Sequence, residues 1–211
     1  MSKYVNKVIK TLIISDFFLH SGWGFFAPVF AIFITENIVA GNVAEAAKVA
    51  GFAAAVYWIV KSLLQIPISQ YLDKRHGEKD DFWFMVLGLF LASLSPFGFL
   101  ISSLPWHIYA FQLVYALGMA LFVPSWNAIF TRHIDKGREA FEWGMDSTFL
   151  GIGAGITGAI GGITVAFFGF KIVFVLVGTL YIVSSLLLLL IHKEILPRDH
   201  IFPKYFPFQK D

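Results

Sequence analysis

Residues 84–94 read FMVLGLFLASL, and this run determines the class of fold. Its apolar residues follow one another without the alternation of inward and outward positions that a strand of a membrane β-barrel requires. A helix crosses a hydrocarbon core of about 30 Å with roughly 20 such residues. Charged residues make up only 14% of the chain, against about 25% in an ordinary soluble domain. The run therefore predicts a helix that spans a membrane.

Runs of this kind occur six times, separated by polar or turn-forming residues. They predict spans at about 11–35, 47–71, 82–103, 106–130, 144–166 and 170–192. The sequence thus predicts an all-α, polytopic membrane protein in the lipid bilayer, with one six-helix domain over 1–211 that ends in a tail at 193–211. The basic N-terminus is similar to a signal peptide. The run that follows is long and contains Asp16, His20 and Pro28, however, so we interpret it as a retained first helix.

Basic residues are concentrated near alternate ends of the predicted spans, which predicts their orientation. Thirteen of the sixteen lysines and arginines fall on one side. They are Lys3, Lys7, Lys10, Lys74, Arg75, Lys79, Arg132, Lys136, Arg138, Lys193, Arg198, Lys204 and Lys210. We expect both termini in the cytoplasm and the protein in the plasma membrane. No basic helix or aromatic stacking platform predicts a nucleic-acid partner.

The motifs that carry chemistry in enzymes are missing from the sequence. Because the chain has no cysteine, it has no disulfide framework, thiolate metal site or cysteine nucleophile. Gly153, Gly155 and Gly158 form a GxGxxG pattern, but no strand precedes them, so a phosphate-binding loop is not predicted. No HExxH pair or GxSxG elbow occurs. We expect no enzymatic activity, cofactor or metal.

The first and third predicted spans resemble the fourth and sixth, whereas the second and fifth match poorly. The matching pairs are Gly22 with Gly118, Phe26 with Phe122 and Pro28 with Pro124 at a spacing of 96 residues, and Phe84 with Phe174 and Gly88 with Gly178 at a spacing of 90. Coincidence among apolar segments is the alternative, but matched glycine, proline and aromatic positions are more demanding than shared hydrophobicity. Since each unit has an odd number of crossings, the pattern predicts an inverted three-plus-three repeat.

The loop between the second and third spans carries a small residue, then an acid, a base, a glycine and a further base. These are Ser69, Asp73, Lys74, Gly77 and Lys79. The pattern resembles the cytoplasmic signature of the major facilitator superfamily of secondary transporters, with serine in place of the usual first glycine. The resemblance implies half of a twelve-helix fold, a substrate site near the midplane between two halves, and gating by these residues. The neighbouring acids Glu78, Asp80 and Asp81 are expected to be solvated charges that fix topology.

Several ionisable and polar residues lie inside the predicted spans, where a charge costs about 2.5–3.5 kcal/mol or more. Asp16 and His20 share one face of the first span, and Tyr57, Lys61 and Gln65 form a stripe on the second. We predict that they line an aqueous cavity for solute or ions. Asn127 on the fourth span is a weaker candidate for the same cavity. An ion pair between Asp16 and Lys61 is plausible; a purely structural pair is the alternative. Asp146, at the start of the fifth span, is interpreted as a helix cap or a partner of the gating loop rather than as a solute ligand.

The fifth span is rich in glycine. Gly151 and Gly155, and Gly158 and Gly162, are each four residues apart. In a membrane this spacing allows helices to approach closely, so these residues are predicted to pack against a neighbouring helix.

Six spans make half of the usual superfamily unit. A pathway for a small-molecule solute therefore requires a second copy of the chain or another six-helix half. The sequence favours a half-size secondary transporter that works as a homodimer. A membrane scaffold derived from a transporter half, without transport, is the alternative.

Overall fold

A computed structural model of the protein describes residues 5–74 and 77–196. The predictions for the extreme N-terminus, for Arg75 and for residues 197–211 of the tail lie outside the described residues. All regular structure in the described ranges is helical. The elements are α1 (Lys7–Asn37), α2 (Val43–Lys74), α3 (Lys79–Leu100), α4 (Pro105–His133), α5 (Glu139–Leu188), a 3-10 turn (Leu189–Ile191) and the short α6 (His192–Ile195).

Five of these helices are long and apolar enough to cross a membrane. The sequence sets their ends locally. Asn6 caps α1 by accepting a hydrogen bond from the amide of Ile9 at 2.9 Å, and Pro105 stands in the first turn of α4, where its missing N–H costs nothing. Pro28 and Pro124, the predicted repeat pair, lie inside α1 and α4. Proline is tolerated there because neighbouring helices can satisfy the freed carbonyls.

The fifth helix differs from the prediction of two separate spans at 144–166 and 170–192. It is 50 residues long, more than twice the roughly 20 residues that one membrane crossing needs. Its only residue with non-helical backbone is Gly169, at φ 75° and ψ 173°. This conformation is essentially restricted to glycine. Gly169 divides α5 into an N-terminal arm, 139–168, and a C-terminal arm, 170–188.

The two arms run in opposite directions along α1. In the N-terminal arm, Gly153 lies against Phe17 and Ser21 of α1, and Gly161 lies against Phe25. In the C-terminal arm the order is reversed. Phe174 contacts Phe33, then Val177 and Tyr181 contact Gly22, and Ser184 hydrogen-bonds Ser15. A single glycine therefore reverses the chain without an intervening polar loop.

The core lies where α1, α3, α4 and the C-terminal arm of α5 meet. α3 and α4 approach closely where a Cβ added to Gly118 would lie 2.5 Å from the carbonyl oxygen of Gly88 and 2.6 Å from the amide nitrogen of Ala92. α2 packs mainly on α4 and less on α1. Only 11% of its membrane-spanning window is buried, so α2 is the peripheral helix of the bundle.

Candidate functional site

A cavity of about 710 Å³ lies among the helices, within the size range of ligand pockets. Its walls come from α1, α2, α3, α4 and both arms of α5. On α1 the lining extends from Asp16 to Phe30, about 21 Å along the axis. Most of the lining is aromatic or aliphatic. The polar lining residues are Asp16, His20, Tyr57, Lys61, Ser95, Gln112, Tyr115, Asn127, Asp146 and Tyr181.

Asp16 and His20 form one polar group on α1. Asp16 is only 6% exposed. The imidazole Nδ1 of His20 lies 3.4 Å from Oδ2 of Asp16 and 3.1 Å from the Asp16 carbonyl oxygen. The two side chains are one helical turn apart and therefore share a face. An imidazole beside a buried carboxylate can hold or release a proton within the cavity.

Lys61 lines the cavity but does not form the ion pair with Asp16 that the sequence suggested. Its ammonium lies 5.0 Å from the centre of the Trp58 ring and 5.7 Å from that of Tyr57. Both distances are typical of a cation over an aromatic face. The pair does not form because Asp16 already has His20 beside it, while the Lys61 stem follows the aromatic surface of its own helix.

Asp146 is not the helix cap that the sequence suggested. Because α5 begins at Glu139, Asp146 lies two turns inside the helix, where it is 6% exposed and lines the cavity. It is within electrostatic range of Asp16 and His20. Its Oδ1 has no hydrogen-bond partner among the described residues. The structure thus brings two buried carboxylates and one imidazole to the same wall of the cavity.

Three tyrosines from three elements form a stacked column. The Tyr57 and Tyr115 ring centroids are 5.1 Å apart, and those of Tyr115 and Tyr181 are 6.1 Å apart. The hydroxyl oxygens of Tyr115 and Tyr181 are 3.5 Å apart. The column links α2, α4 and the C-terminal arm of α5 across the cavity. Sequence reasoning missed Tyr115 and Tyr181; tyrosine in mid-span, away from the membrane interface, is a signal that could have identified them.

Phenylalanines close one part of the cavity wall. This phenylalanine cluster consists of Phe26, Phe30, Phe33, Phe99 and Phe174. The centroids of Phe26 and Phe30 are 4.5 Å apart, and those of Phe33 and Phe174 are 4.7 Å apart in an edge-to-face arrangement. Phe26, Phe30 and Phe99 also line the cavity. The cluster joins α1, α3 and the C-terminal arm of α5 by apolar contacts.

Of the two remaining predicted pathway residues, one lines the cavity and the other does not. Asn127 lines the cavity. Gln65 is not among the lining residues; its carbonyl oxygen accepts a hydrogen bond from the Ser69 hydroxyl at 2.8 Å. The stripe on α2 therefore turns away from the cavity beyond Lys61.

The residues of the predicted gating motif lie outside the cavity. Asp73, Lys74 and Lys79 are exposed, Gly77 is half-buried, and Ser69 bonds within its own helix. These positions belong to the end of α2 and the start of α3. Their role in gating stays a prediction.

Two acids close to Lys79, the last residue of the motif, are buried, contrary to the expectation of solvated charges. Asp81, 0% exposed, forms an ion pair with Arg132 at the end of α4. The carboxylate of Glu78 lies 3.0 Å from Nε2 of His133. The reason is that α3 begins at Lys79, which turns both side chains toward α4, where each acid meets a base. We call Glu78, Asp81, Arg132 and His133 the charged end of the bundle.

The N-terminus of α1 and the end of the described chain join this region. Asn6 donates a hydrogen bond to the His133 carbonyl at 2.7 Å. Lys7 and Glu194 form an ion pair at 2.5 Å. Oε2 of Glu142 accepts a hydrogen bond from the amide of Asp135 at 3.2 Å. Hydrogen bonds and ion pairs thus connect four helix ends: the starts of α1, α3 and α5 and the end of α4.

The glycine face of α5 that meets α1 is shifted from the predicted one. A Cβ added at Gly151, Gly155 or Gly162 would meet nothing within 4 Å in the described chain, and at Gly158 only the Gly24 carbonyl oxygen at 3.7 Å. The contacts with α1 are instead made through Gly153 and Gly161. Glycine content therefore indicated which helix packs closely on α1, but not the rotation of that helix about its axis. Packing of the four predicted glycines against a neighbouring helix remains a prediction.

The fold and the cavity define a polytopic helical membrane protein with ionisable groups held inside its transmembrane region, an arrangement typical of solute pathways. Comparison with protein families identifies the family to which the chain belongs. The family model for the Major Facilitator Superfamily matches residues 12–207. The chain belongs to this family of membrane transporters, whose members are generally not enzymes. No curated protein matches the chain.

Proposed function

We propose that this chain is half of a secondary transporter and that two copies together move a small solute across the membrane by alternating access. The observation that carries the proposal is the cavity of about 710 Å³ with ionisable side chains from α1, α2 and α5. Such groups are costly within a bilayer and are retained where they face water, a solute or one another. The cavity supplies the solute site.

We also propose that the chain crosses the membrane six times and that the crossings form an inverted repeat. The reversal of contacts at Gly169 supports treating the two arms of α5 as two crossings. The repeat then relates α1 to α4 and α3 to the C-terminal arm. Gly22 of α1 packs against Val177 and Tyr181 of that arm, and Gly118 of α4 packs against Gly88 of α3. The matched glycines Gly22 and Gly118 thus each lie against the helix that the proposed repeat pairs with their own, which supports an inverted repeat.

A second copy is proposed because one chain leaves the cavity incompletely enclosed. α2 has few neighbours in the described chain, and Phe52, Ile59 and Leu63 on it are exposed apolar residues. Two copies inserted in the same orientation can pair around an axis along the membrane normal. A homodimer of this kind would place a cavity wall from each copy around one shared pathway. Another six-helix half in place of the second copy would serve the same purpose.

The proposed orientation places both termini in the cytoplasm of a cell whose plasma membrane holds the protein. The bias of basic residues toward one side supports it. The charged end then faces the cytoplasm together with Asp73 and its neighbours. Buried pairs such as Asp81 with Arg132 would hold that end of the bundle together while the 2–3 loop gates the cycle.

Side-dependent labelling tests alternating access, and the cysteine-free sequence makes it direct. Ala27→Cys places one thiol in the cavity lining, and Leu113→Cys, at an exposed apolar position on α4, is the control. In oriented vesicles, we expect a membrane-impermeant thiol reagent to modify Ala27→Cys from either side and Leu113→Cys from neither. Reaction of Ala27→Cys from one side only, under all solute conditions, would favour the scaffold alternative.

The dimer is tested separately. Native mass measurement in nanodiscs should show twice the chain mass of 23.7 kDa, and Leu63→Cys should give a disulfide-linked dimer on oxidation. Ile101→Cys, an exposed apolar residue at the end of α3, is the control and should remain monomeric. A monomer by mass with no cross-link from Leu63→Cys would contradict the paired arrangement.

A further inference from the structure

The charges that line the cavity are separated onto two walls. Asp16 and Asp146 come from α1 and α5, and Lys61 comes from α2. α5 packs against α1 and α3, whereas α2 packs on α4 and α1. The ammonium of Lys61 lies over Trp58 and Tyr57 and does not neutralise either carboxylate. The wall formed by α1 and α5, which we call the acidic wall, is therefore balanced only by His20.

The acidic wall has an excess of negative charge. It holds two carboxylates and one imidazole, so its formal charge is −1 when both acids are ionised and His20 is protonated. His20 lies beside Asp16, at 3.4 Å. Asp146 is 94% buried, given its exposure of 6%, and its Oδ1 has no hydrogen-bond partner among the described residues. A buried carboxylate of this kind is strongly stabilised by a cationic partner.

The rest of the lining suits the body of an organic cation. Trp23, Tyr57, Tyr115, Trp126 and Tyr181 all contribute rings to the cavity. Aromatic faces attract ammonium groups through their quadrupoles and also accept apolar substituents. Lys61 on the other wall disfavours a second positive charge. The lining therefore matches a solute with one cationic group and an apolar body.

We propose that the cavity binds a monovalent organic cation, with Asp146 as its principal counter-ion and Asp16 as the second carboxylate. The inference rests on the proposed function only in taking this cavity as the solute site. An ammonium group would occupy the acidic wall, where it pairs with the carboxylate of Asp146 that lines the cavity. The apolar body would extend over the aromatic rings toward α4.

Binding to the full chain in nanodiscs tests this proposal without requiring transport. The probes are tetramethylammonium, benzyltrimethylammonium and tetraphenylphosphonium, which cover a range of sizes and do not titrate, and benzenesulfonate as an anion. Calorimetry should show binding of at least one cation and none of benzenesulfonate. Asp146→Asn should weaken cation binding about tenfold or more, because it removes the charge and keeps the shape. Glu36→Gln, an exposed carboxylate at the far end of α1, is the matched control and should bind as the unaltered chain does.

The outcomes separate this proposal from the proposed function. Binding of no cation by the folded chain, or equal binding by Asp146→Asn with its thermal unfolding intact, would overturn the cation site. Cation binding that depends on Asp146, in a chain whose Ala27→Cys variant is labelled from one side only, would support the site and contradict transport. Two-sided labelling without cation binding would leave the transport proposal standing and assign it a different class of solute.

Discussion

Replacing Arg132 with methionine tests how the charged end holds the bundle together. The variant removes the guanidinium that pairs with Asp81 and keeps a side chain of similar length. It leaves the carboxylate of Asp81, 0% exposed, without its basic partner at the interface of α3 and α4. Oδ1 of Asp81 already lacks a hydrogen bond among the described residues, so the loss of Arg132 leaves the carboxylate poorly compensated.

The magnitude follows from the burial of the pair. Breaking a buried ion pair costs about 3–5 kcal/mol, but the side chain of Arg132 is 36% exposed, so its charge is partly solvated and the cost is lower. The carboxylate can also take up a proton, which for an ordinary aspartate costs about 4 kcal/mol at pH 7 and about 1.5 kcal/mol at pH 5. Protonation therefore limits the penalty. We expect Arg132→Met to lower the free energy of unfolding by about 2–4 kcal/mol at pH 7, and by less at pH 5.

Unfolding in mixed detergent micelles, followed by the fluorescence of the six tryptophans, measures the change. Lys48→Met is the control, since its pair with Glu45 is exposed, with side-chain exposures of 61% and 42%, and should be neutral. The double variant Asp81→Asn with Arg132→Met should recover part of the loss because it removes the orphaned charge. A change within about 0.5 kcal/mol at both pH values, the range of an ordinary surface substitution, would refute the reasoning.

Three further outcomes are expected from detergent unfolding and flux assays. Gly169→Ala should destabilise the protein by about 1–3 kcal/mol because φ 75° is strained for alanine. The control Gly162→Ala, with nothing within 4 Å of its added Cβ, should be neutral or stabilising. Equal effects of the two variants would contradict the turn at Gly169. Gly118→Ala should lower the free energy of unfolding by about 1–3 kcal/mol, because the new Cβ overlaps the backbone of Gly88 and Ala92. Gly155→Ala, whose Cβ would lie in open space, should leave it unchanged. A tolerated Gly118→Ala would mean that α3 and α4 can separate freely. Lys61→Leu should abolish solute flux while leaving thermal stability unchanged or higher; normal flux would remove Lys61 from the site.

The fold class and the positions of most helices could be predicted from hydrophobic runs, because a bilayer imposes length and apolarity on any helix that crosses it. The break between the last two predicted spans falls at the expected place, at Gly169, but the form of the turn could not be predicted. Around Gly169 the sequence is FFGFK, which offers no polar loop, and the reversal depends on one backbone conformation rather than on composition. Local sequence therefore indicates that a break is possible at a glycine, while tertiary contacts determine that the chain reverses there.

The sequence predicts which residues line the site better than it predicts which of them contact one another. Asp16, His20 and Lys61 stand out because charge within an apolar run is costly. Their partners depend on the rotation of each helix about its axis, which hydrophobic runs do not specify when a helix is apolar on all sides. Asp146 was misplaced for a different reason. Helix starts are uncertain by several residues from sequence, and an error of that size changes a cap into a cavity residue.

The phenylalanine cluster holds its end of the bundle by contacts of a different kind from those of the charged end. Lipid tails are as apolar as the rings, so these contacts depend on close packing rather than on the exclusion of water. Separating Phe33 from Phe174 exposes no ionic group and should respond weakly to salt. Ionic strength and proton concentration act instead on the pairs of the charged end. Salt would therefore loosen one end of the bundle and leave the other unchanged.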